Sequence, residues 1–211
     1  SDGRLYKAND MVKADCGGCN GCSRCCHGMG NSIILDPYDV YRMTTGMGKS
    51  MQELLAASVE LNVVDGVILP NLKMQGAEEA CAYLDGEGRC SIHPYRPGIC
   101  RLFPLGRYYE NGGFSYFLQI GECAKENRSK IKVSKWIDTP DLTRNQQFTL
   151  QWHDLLHAME ERLTGEDEGK QREENLLLLR LFYLLPYEGT IDFYTQFTER
   201  MEHWNGQNGQ I

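Results

Sequence analysis

CGGCNGCSRCC, at residues 16–26, places five of the chain's nine cysteines within eleven positions. A disulfide requires Cα atoms about 4.4–6.8 Å apart and side chains directed at each other, and the adjacent pair Cys25 and Cys26 does not suit that geometry. Thiolates two residues apart, separated mostly by small residues, can instead turn toward one metal ion or cluster. The run therefore predicts a thiolate-bound metal.

The spacing within this run can be interpreted in two ways. Counted from Cys16 to Cys26 and omitting Cys25, it is C-x2-C-x2-C-x3-C, the ligand spacing of bacterial ferredoxins, although His27 stands where proline usually follows. Counted from Cys19 to Cys26, it is CxxCxxCC. Both interpretations require a bound metal, and the glycines around the run permit close approach of the backbone to a ligand.

A second group of cysteines lies further along the chain, in CAYLDGEGRCSIHPYRPGICRLFP at residues 81–104. It contains Cys81, Cys90 and Cys100, and Cys123 follows. Glycines and prolines surround these cysteines and predict loops.

Together the two groups resemble the YkgJ-like CxxCxxCC cysteine-cluster family, described as a zinc- or iron-chelating domain. The resemblance rests on the CxxCxxCC run, the loop from Cys81 to Cys90 and the stretch IHPYRPGICRLFP at residues 92–104, and it covers roughly residues 16–125. It implies eight ligands, which are Cys19, Cys22, Cys25, Cys26, Cys81, Cys90, Cys100 and Cys123. Cys16 departs from the family pattern and is either spare or a substitute for one of the eight. The family has no established reaction, so the resemblance does not fix a function.

Eight thiolates suffice for two sites of four cysteines each. Four thiolates around Zn²⁺ give a closed site that stabilises the fold, whereas four thiolates around a 4Fe-4S cluster give an electron carrier or redox centre. The ferredoxin-like spacing, the nine cysteines and the abundant glycine favour iron–sulfur, with zinc as the alternative. The first hypothesis is therefore electron transfer or the redox part of an enzyme system, and the second is a zinc-stabilised interaction module.

Four histidines are alternative ligands. His27 and His93 lie beside cysteines and would give mixed sites, but the cysteines suffice without them. His153 and His157 lie four residues apart, as on one face of a helix, yet they lack the glutamate of a zinc-protease motif, and their neighbours Trp152, Leu155 and Leu156 are typical of a core. A metalloenzyme with an open coordination position ranks third, because the sequence has no obvious nucleophile–base pair.

Two arginines flank Cys100. The guanidinium groups of Arg96 and Arg101 could offset the negative charge of a thiolate-bound cofactor and tune its potential, and a salt bridge within a loop is an equally good interpretation. Phe103 and Pro104 are expected to pack beside the site and exclude water.

Cap signals predict two helices early in the chain. Asp36 followed by Pro37 predicts an N-cap and a helix to about Thr45. Ser50 and Glu53 form the pattern of a capping box.

Strand signals are fewer. Residues 1–15 are polar and are expected to be loose. Residues 63–73 predict a strand that Pro70 interrupts. Residues 107–109 and 114–119 flank Glu-Asn-Gly-Gly, which predicts a hairpin.

The remainder of the chain lacks cysteine and has helical periodicity. Helices are expected from Thr139 and over residues 171–185 and 190–204. We therefore predict an α+β fold, with an irregular metal-binding domain at 1–138 that carries a short antiparallel sheet and several helices. An acidic helical extension at 139–211 is expected to pack on it.

Charge limits the classes of partner. The net charge is −7, and 12 acids against 5 bases from residue 151 onward account for all of it. No basic domain is present to bind a phosphate backbone, which excludes nucleic acid. The acidic extension predicts a protein partner. No stretch is apolar enough to span a membrane, and the odd number of cysteines favours a reducing cytoplasm.

Overall fold

The computed structural model describes residues 1–17, 22–125 and 127–208, and these residues form an α+β fold, as predicted. The strands are short and pair in antiparallel fashion. They are β1 (Leu5–Tyr6), β2 (Met11–Asp15), β3 (Val59–Val64), β4 (Val67–Leu72), β5 (Met74–Gln75), β6 (Ala80–Cys81), β7 (Leu105–Glu110), β8 (Gly113–Leu118) and β9 (Ser129–Lys132). The α-helices are α1 (Pro37–Met47), α2 (Met51–Ala57), α3 (Gly98–Leu102), α4 (Val133–Ile137), α5 (Leu142–Leu163), α6 (Glu168–Leu179) and α7 (Phe193–Asn208).

The chain forms two compact units, each assembled from two segments. The first contains residues 1–30 and 74–150, and the second contains residues 31–73 and the chain from 151 onward. This division differs from the two consecutive domains predicted from the sequence, since residues 31–73 belong with the C-terminal helices. A hydrogen bond shows why: the Ile68 backbone N–H in β4 donates to Asn175 Oδ1 in α6 at 2.6 Å.

The N-terminal residues of the first unit are ordered into strands, so the prediction of a loose segment was wrong. β1 pairs with β8 and β2 pairs with β9. Alternation along β2 directs Val12 and Ala14 inward, where they are buried in a core shared with Tyr116 and Leu118. Two apolar side chains at alternate positions are enough to anchor a short strand whose other residues are polar.

The predicted hairpin in the first unit is confirmed. β7 and β8 pair from Leu105↔Leu118 to Glu110↔Gly113, and β1 adds a third strand beside β8. Asn111 and Gly112 form the turn with φ angles of 50° and 68°. Positive φ at both central residues is the requirement of the tight turn that suits the twist of paired strands.

Both predicted helix starts in the second unit are confirmed. Asp36 Oδ1 accepts a hydrogen bond from Asp39 N at 2.8 Å, and Asp39 Oδ2 accepts one from Asp36 N at 3.1 Å. The same reciprocal capping box joins Ser50 and Glu53. These contacts satisfy backbone donors that have no partner inside the helix.

The predicted interruption at Pro70 was wrong, because β4 runs through it and pairs with β3. Asp65 and Gly66 form the turn between the strands, with φ angles of 51° and 82°. Hydrogen-bonded pairs alternate along such a hairpin, and Pro70 stands opposite Leu61 at a position where its missing N–H would point away from β3. The Pro70 carbonyl accepts from Leu35 N at 2.8 Å on that other side.

The three predicted C-terminal helices correspond to α5, α6 and α7. A π-helical segment, Arg180–Leu184, directly follows α6. Aromatic side chains form much of the second unit's core, with Trp152, Phe182 and Trp204 all buried. Among the described helices, none combines the length and apolar character needed to cross a membrane.

Candidate metal centre

All eight described cysteines lie in the first unit, and no disulfide joins any of them. Each is partly buried. Cys19 lies outside the described residues, so its predicted role as a ligand stays a prediction. The first unit therefore carries its described thiols at partly exposed positions on short strands, turns, loops and the short helix α3, and not in its apolar core.

Four of these thiols line one cleft. Cys16 comes directly after β2, Cys22 lies before a 3₁₀ turn at Arg24–Cys26 and Cys25 lies within it, and Cys123 follows β8. The distant segments are brought together because β2 and β8 both contribute to the core of this unit.

The wall of the cleft is apolar and fixed. Phe103 and Pro104 line it, as predicted, together with Trp136 from α4. The Trp136 indole N–H donates to the carbonyl oxygens of Leu102 and Phe103, each at 3.2 Å. These bonds hold the ring against the segment that follows α3 and leave a rigid surface beside the thiols.

Charged side chains also border the cleft, and sequence reasoning missed them. Arg24 and Lys125 bring positive charge to the thiols, while Glu122 contributes one negative charge. Each of these residues is next to or near a cysteine in the sequence, which is the one signal that could have identified them. The two cations would offset part of the negative charge of a thiolate-bound metal.

The remaining described thiols are those of Cys26, Cys81, Cys90 and Cys100, and the charge of Cys25 also acts on Cys81 and Cys90. An antiparallel bridge pairs His27 with Ala80, and this register places Cys26 opposite Cys81. A further bridge pairs Leu84 with Cys90 and closes the loop that follows Cys81. Backbone pairing thus brings the CxxCxxCC run to the second cysteine-rich segment.

Backbone N–H groups are directed at two of these sulfurs. The Tyr83 N–H bonds to the Cys81 thiol and the Ile92 N–H bonds to the Cys90 thiol, and both lower the thiol's pKa. Burial has the larger effect, so the pKa of each thiol is raised overall. In both cases the donor is the residue two positions after the cysteine, and such a bond would orient the sulfur toward a metal ion that replaces its proton.

The adjacent cysteines interact directly. The Cys26 thiol donates a hydrogen bond to Cys25, which lowers the pKa of Cys25 to about 6, and the positive charge of Arg96 acts in the same direction. The same bond raises the pKa of Cys26, with burial and the charges of Cys25, Cys81 and Cys100 adding to it. Of the two thiols, Cys25 is therefore the one that loses its proton more readily, and the thiolate is the form that binds metals.

The predicted charged neighbours have partners of their own. Arg96 Nη1 donates to His93 Nε2 at 2.7 Å, and burial, followed by the charges of Arg96 and Arg101, lowers the His93 pKa. Arg101 is buried and donates from Nε to the Ile137 carbonyl at 3.2 Å, at the end of α4. Arg96 is therefore placed to act on the thiols by charge, and Arg101 also supports α4. A cofactor contact for either stays a prediction.

The structure gives little support to the histidines as metal ligands. The His27 Nδ1 lies 2.9 Å from the Ser23 carbonyl, and His93 Nε2 is engaged by Arg96. His153 and His157 lie on α5 with Nδ1 atoms 3.3 Å and 4.0 Å from Asp154 and Glu161 carboxylates. Both belong to the second unit, whereas the described cysteines belong to the first.

The thiols converge without forming a finished ligand shell. Within residues 1–17, 22–125 and 127–208, no three Cys, His, Asp or Glu side chains stand close enough together to hold a metal ion as placed. The chemistry of the donors nevertheless fits a thiophilic metal, since the described residues offer unbridged thiols, one thiol with a lowered pKa, N–H···S bonds and nearby cations.

Comparison with known families agrees with that chemistry. A family model for the CxxCxxCC domain, with the description "Putative zinc- or iron-chelating domain", matches residues 18–130. The match includes every cysteine except Cys16. No curated protein and no solved structure matches the chain.

Proposed function

The chain belongs to the CxxCxxCC family, whose model covers more than half of its length. From that premise we propose that its cysteines hold iron–sulfur clusters at two sites. The family's zinc- or iron-chelating character supports metal binding in general. We propose 4Fe-4S clusters in both sites, used for electron transfer or as the redox part of an enzyme system.

One observation carries this proposal: Cys16, Cys22, Cys25 and Cys123 line a single cleft although they come from three separate stretches of the chain. Four thiolates are the ligand set of a 4Fe-4S cluster. A fold that uses its apolar core to collect four thiols without bridging them is suited to binding a soft metal.

The choice of iron–sulfur over zinc rests on spacing and charge. The spacing from Cys16 to Cys26 is that of ferredoxin ligands. Arg24 and Lys125 border the cleft, and cations there would stabilise the negative charge that a cluster gains on reduction. A purely structural zinc site has no reduced state that requires such compensation.

The proposal also covers the cellular compartment of the protein and the kind of partner it binds. Thiols must stay reduced to bind metal, so we place the protein in a reducing compartment such as the cytoplasm. We also propose that the acidic C-terminal helices dock a protein partner, because nearly all of their acids, among them Glu160, Glu173 and Glu199, are solvent-exposed.

Anaerobic purification tests the proposal. We expect a brown protein that contains iron and sulfide and whose broad visible absorption is bleached by dithionite. A colourless protein with about two zinc ions per chain would overturn it in favour of a zinc-stabilised module. X-ray absorption that shows fewer than four thiolates at a metal, with water in the gap, would indicate a metalloenzyme instead.

A further inference from the structure

A second cleft in the first unit is lined by basic side chains, and we call it the basic cleft. Its volume is about 540 Å³, and Arg4, Lys13, Arg128 and Lys130 contribute four positive charges to its lining. Among the described residues, none lines both this cleft and the cleft of the thiols. The proposed metal chemistry therefore does not account for the basic cleft.

Strand pairing places two of these cations side by side. β2 and β9 pair with Val12 opposite Ile131, which brings Lys13 and Lys130 to neighbouring positions on the two strands. Both lysines are exposed. Like charges at neighbouring positions of paired strands are destabilising, so an anion bound between them would stabilise this part of the sheet.

The two arginines reach the basic cleft from other segments. Arg4 directly precedes β1, and Arg128 directly precedes β9. The Nη1 atom of Arg128 is buried, and no described residue accepts a hydrogen bond from it. Buried donors without an acceptor are rare in folded proteins, and a bound anion would supply the acceptor that this one lacks.

Carboxylates of the described chain do not neutralise this group of cations. No described residue forms an ion pair or a side-chain hydrogen bond with the side chains of Lys13, Arg128 or Lys130. Of the described residues in the lining, only Asp2 is acidic, and its two oxygens accept from a backbone N–H at 3.1 Å and from the Tyr6 hydroxyl. Four cations against one carboxylate leave an excess of three positive charges.

The rest of the lining is partly apolar. Leu118 and Tyr6 are buried in it, whereas Met11 and Ile120 are exposed by 49% and 59%. A volume of about 540 Å³ lies within the range of about 300–1,000 Å³ that is typical of sites for small organic molecules. The basic cleft thus offers room and apolar contacts beyond those that a simple inorganic ion would use.

We propose that the basic cleft binds a small organic phosphate. The planar guanidinium of arginine matches the geometry of a phosphate group, and lysines add the attraction of a point charge. An excess of three positive charges suits a phosphate ester or a diphosphate better than a single carboxylate, and Met11 and Ile120 would contact the apolar part of the ligand. This binding site goes beyond the proposed function and holds for either metal.

Calorimetric titration of the anaerobically purified full chain with 1-naphthyl phosphate tests the proposal. We expect this probe to bind more tightly than inorganic phosphate or 1-naphthol, because it engages both the cations and the apolar wall. Arg128→Gln should weaken binding by about tenfold or more, and Lys130→Gln should weaken it by a smaller factor. The matched control is Lys132→Gln, an exposed lysine of β9 that does not line the basic cleft, and it should leave the affinity unchanged.

No binding of 1-naphthyl phosphate, or an equal effect of Lys130→Gln and Lys132→Gln, would overturn the proposal. A measurement on the unaltered protein avoids variants that do not fold: lysines are acetylated with and without saturating 1-naphthyl phosphate, and the products are quantified by mass spectrometry. We expect the probe to slow acetylation of Lys13 and Lys130 severalfold and to leave that of Lys132 unchanged. Equal protection of all three lysines, or protection by phosphatidylserine vesicles and not by the probe, would also overturn it.

Discussion

The sequence predicts the role of some residues beside the thiols but not of others. Any cysteine is a visible candidate, and Phe103 and Pro104 were correctly expected beside the thiols. The backbone donors of Tyr83 and Ile92 could not be foreseen, since every residue except proline carries the same N–H and only the local turn directs it at a sulfur. Lys125 reaches the cleft for a similar reason, because the loop after β8 and not its residue type places it there.

At this scale we predict the effect of Cys22→Ala. The variant removes a thiol that lines the cleft, and metal binding is coupled to folding when the ligands come from distant segments. We expect the metal content to fall by about half and the melting temperature to fall with it. Elemental analysis and calorimetry of the anaerobically purified protein measure both.

The matched control is His157→Ala, which removes an exposed candidate ligand on α5. We expect its metal content and melting temperature to equal those of the parent protein. Normal metal content in Cys22→Ala, or a loss of metal in His157→Ala, would contradict the assignment of ligands.

Elements with strong local signals were predictable, and those fixed by distant contacts were not. The capping boxes at Asp36 and Ser50 and the Asn111-Gly112 turn depend on residues within a few positions of each other. The β3–β4 hairpin was missed because its turn at Asp65-Gly66 was not recognised and Pro70 was given too much weight. One contact that holds this hairpin in the second unit is with Asn175, more than 100 residues away, and no local pattern indicates that contact.

We predict that Asn175→Ala weakens this anchoring. Asn175 is buried, accepts from Ile68 N at 2.6 Å and donates to the Gly66 carbonyl at 3.2 Å. Its loss leaves buried polar groups unpaired, so the free energy of unfolding should fall by about 1–3 kcal/mol. Urea denaturation measures this. Leu176→Ala, at an exposed neighbour on the same helix, should change it by about 0.5 kcal/mol or less, and an equal effect in both variants would refute the role of Asn175.

Arg200 secures the end of the π-helical segment. It is buried, and its guanidinium donates to the carbonyls of Leu181, Leu185 and Pro186 at 2.6, 3.0 and 2.9 Å. The π-helical turn and the residues after it leave these carbonyls without helical partners, and one planar side chain satisfies three of them.

We therefore predict that Arg200→Met lowers the free energy of unfolding by about 3 kcal/mol or more, because buried acceptors lose a charged donor. Arg200→Lys keeps the charge but not the planar fork, so its effect should be intermediate. Denaturant titrations of the two variants beside Arg172→Met, an exposed arginine on α6, make the comparison. A neutral result for Arg200→Met would show that solvent replaces the arginine.

At the scale of the whole molecule, the described thiols and the acidic helices belong to different compact units. Cysteine spacing predicts ligands in the first unit, and that assignment stays a prediction, whereas the assembly of each unit from two separate segments was not predictable from consecutive blocks of sequence. Each unit has its own buried side chains, such as Val12 and Tyr116 in the first and Phe182 and Trp204 in the second.

We predict that metal removal loosens one unit only. After treatment with a chelator under reducing conditions, hydrogen exchange should accelerate in the described parts of residues 1–30 and 74–150, where the ligands lie. Exchange in α6 and α7 should stay as slow as before. Uniform acceleration across the chain would show that the second unit depends on the metal, and no acceleration anywhere would show that thiol ligation contributes nothing to folding.

The wide spacing of the cleft's thiols along the chain has a consequence for biosynthesis. Cys22 and Cys123 face the same cleft, yet a ribosome adds about one hundred residues between them. The emerging polypeptide exposes its first thiols well before their partners exist, and during that interval they are open to oxidation or to capture by the wrong ion. If the cleft holds the proposed cluster, its loading would follow translation of Cys123, which would give the cell a reason to shield the nascent chain until then.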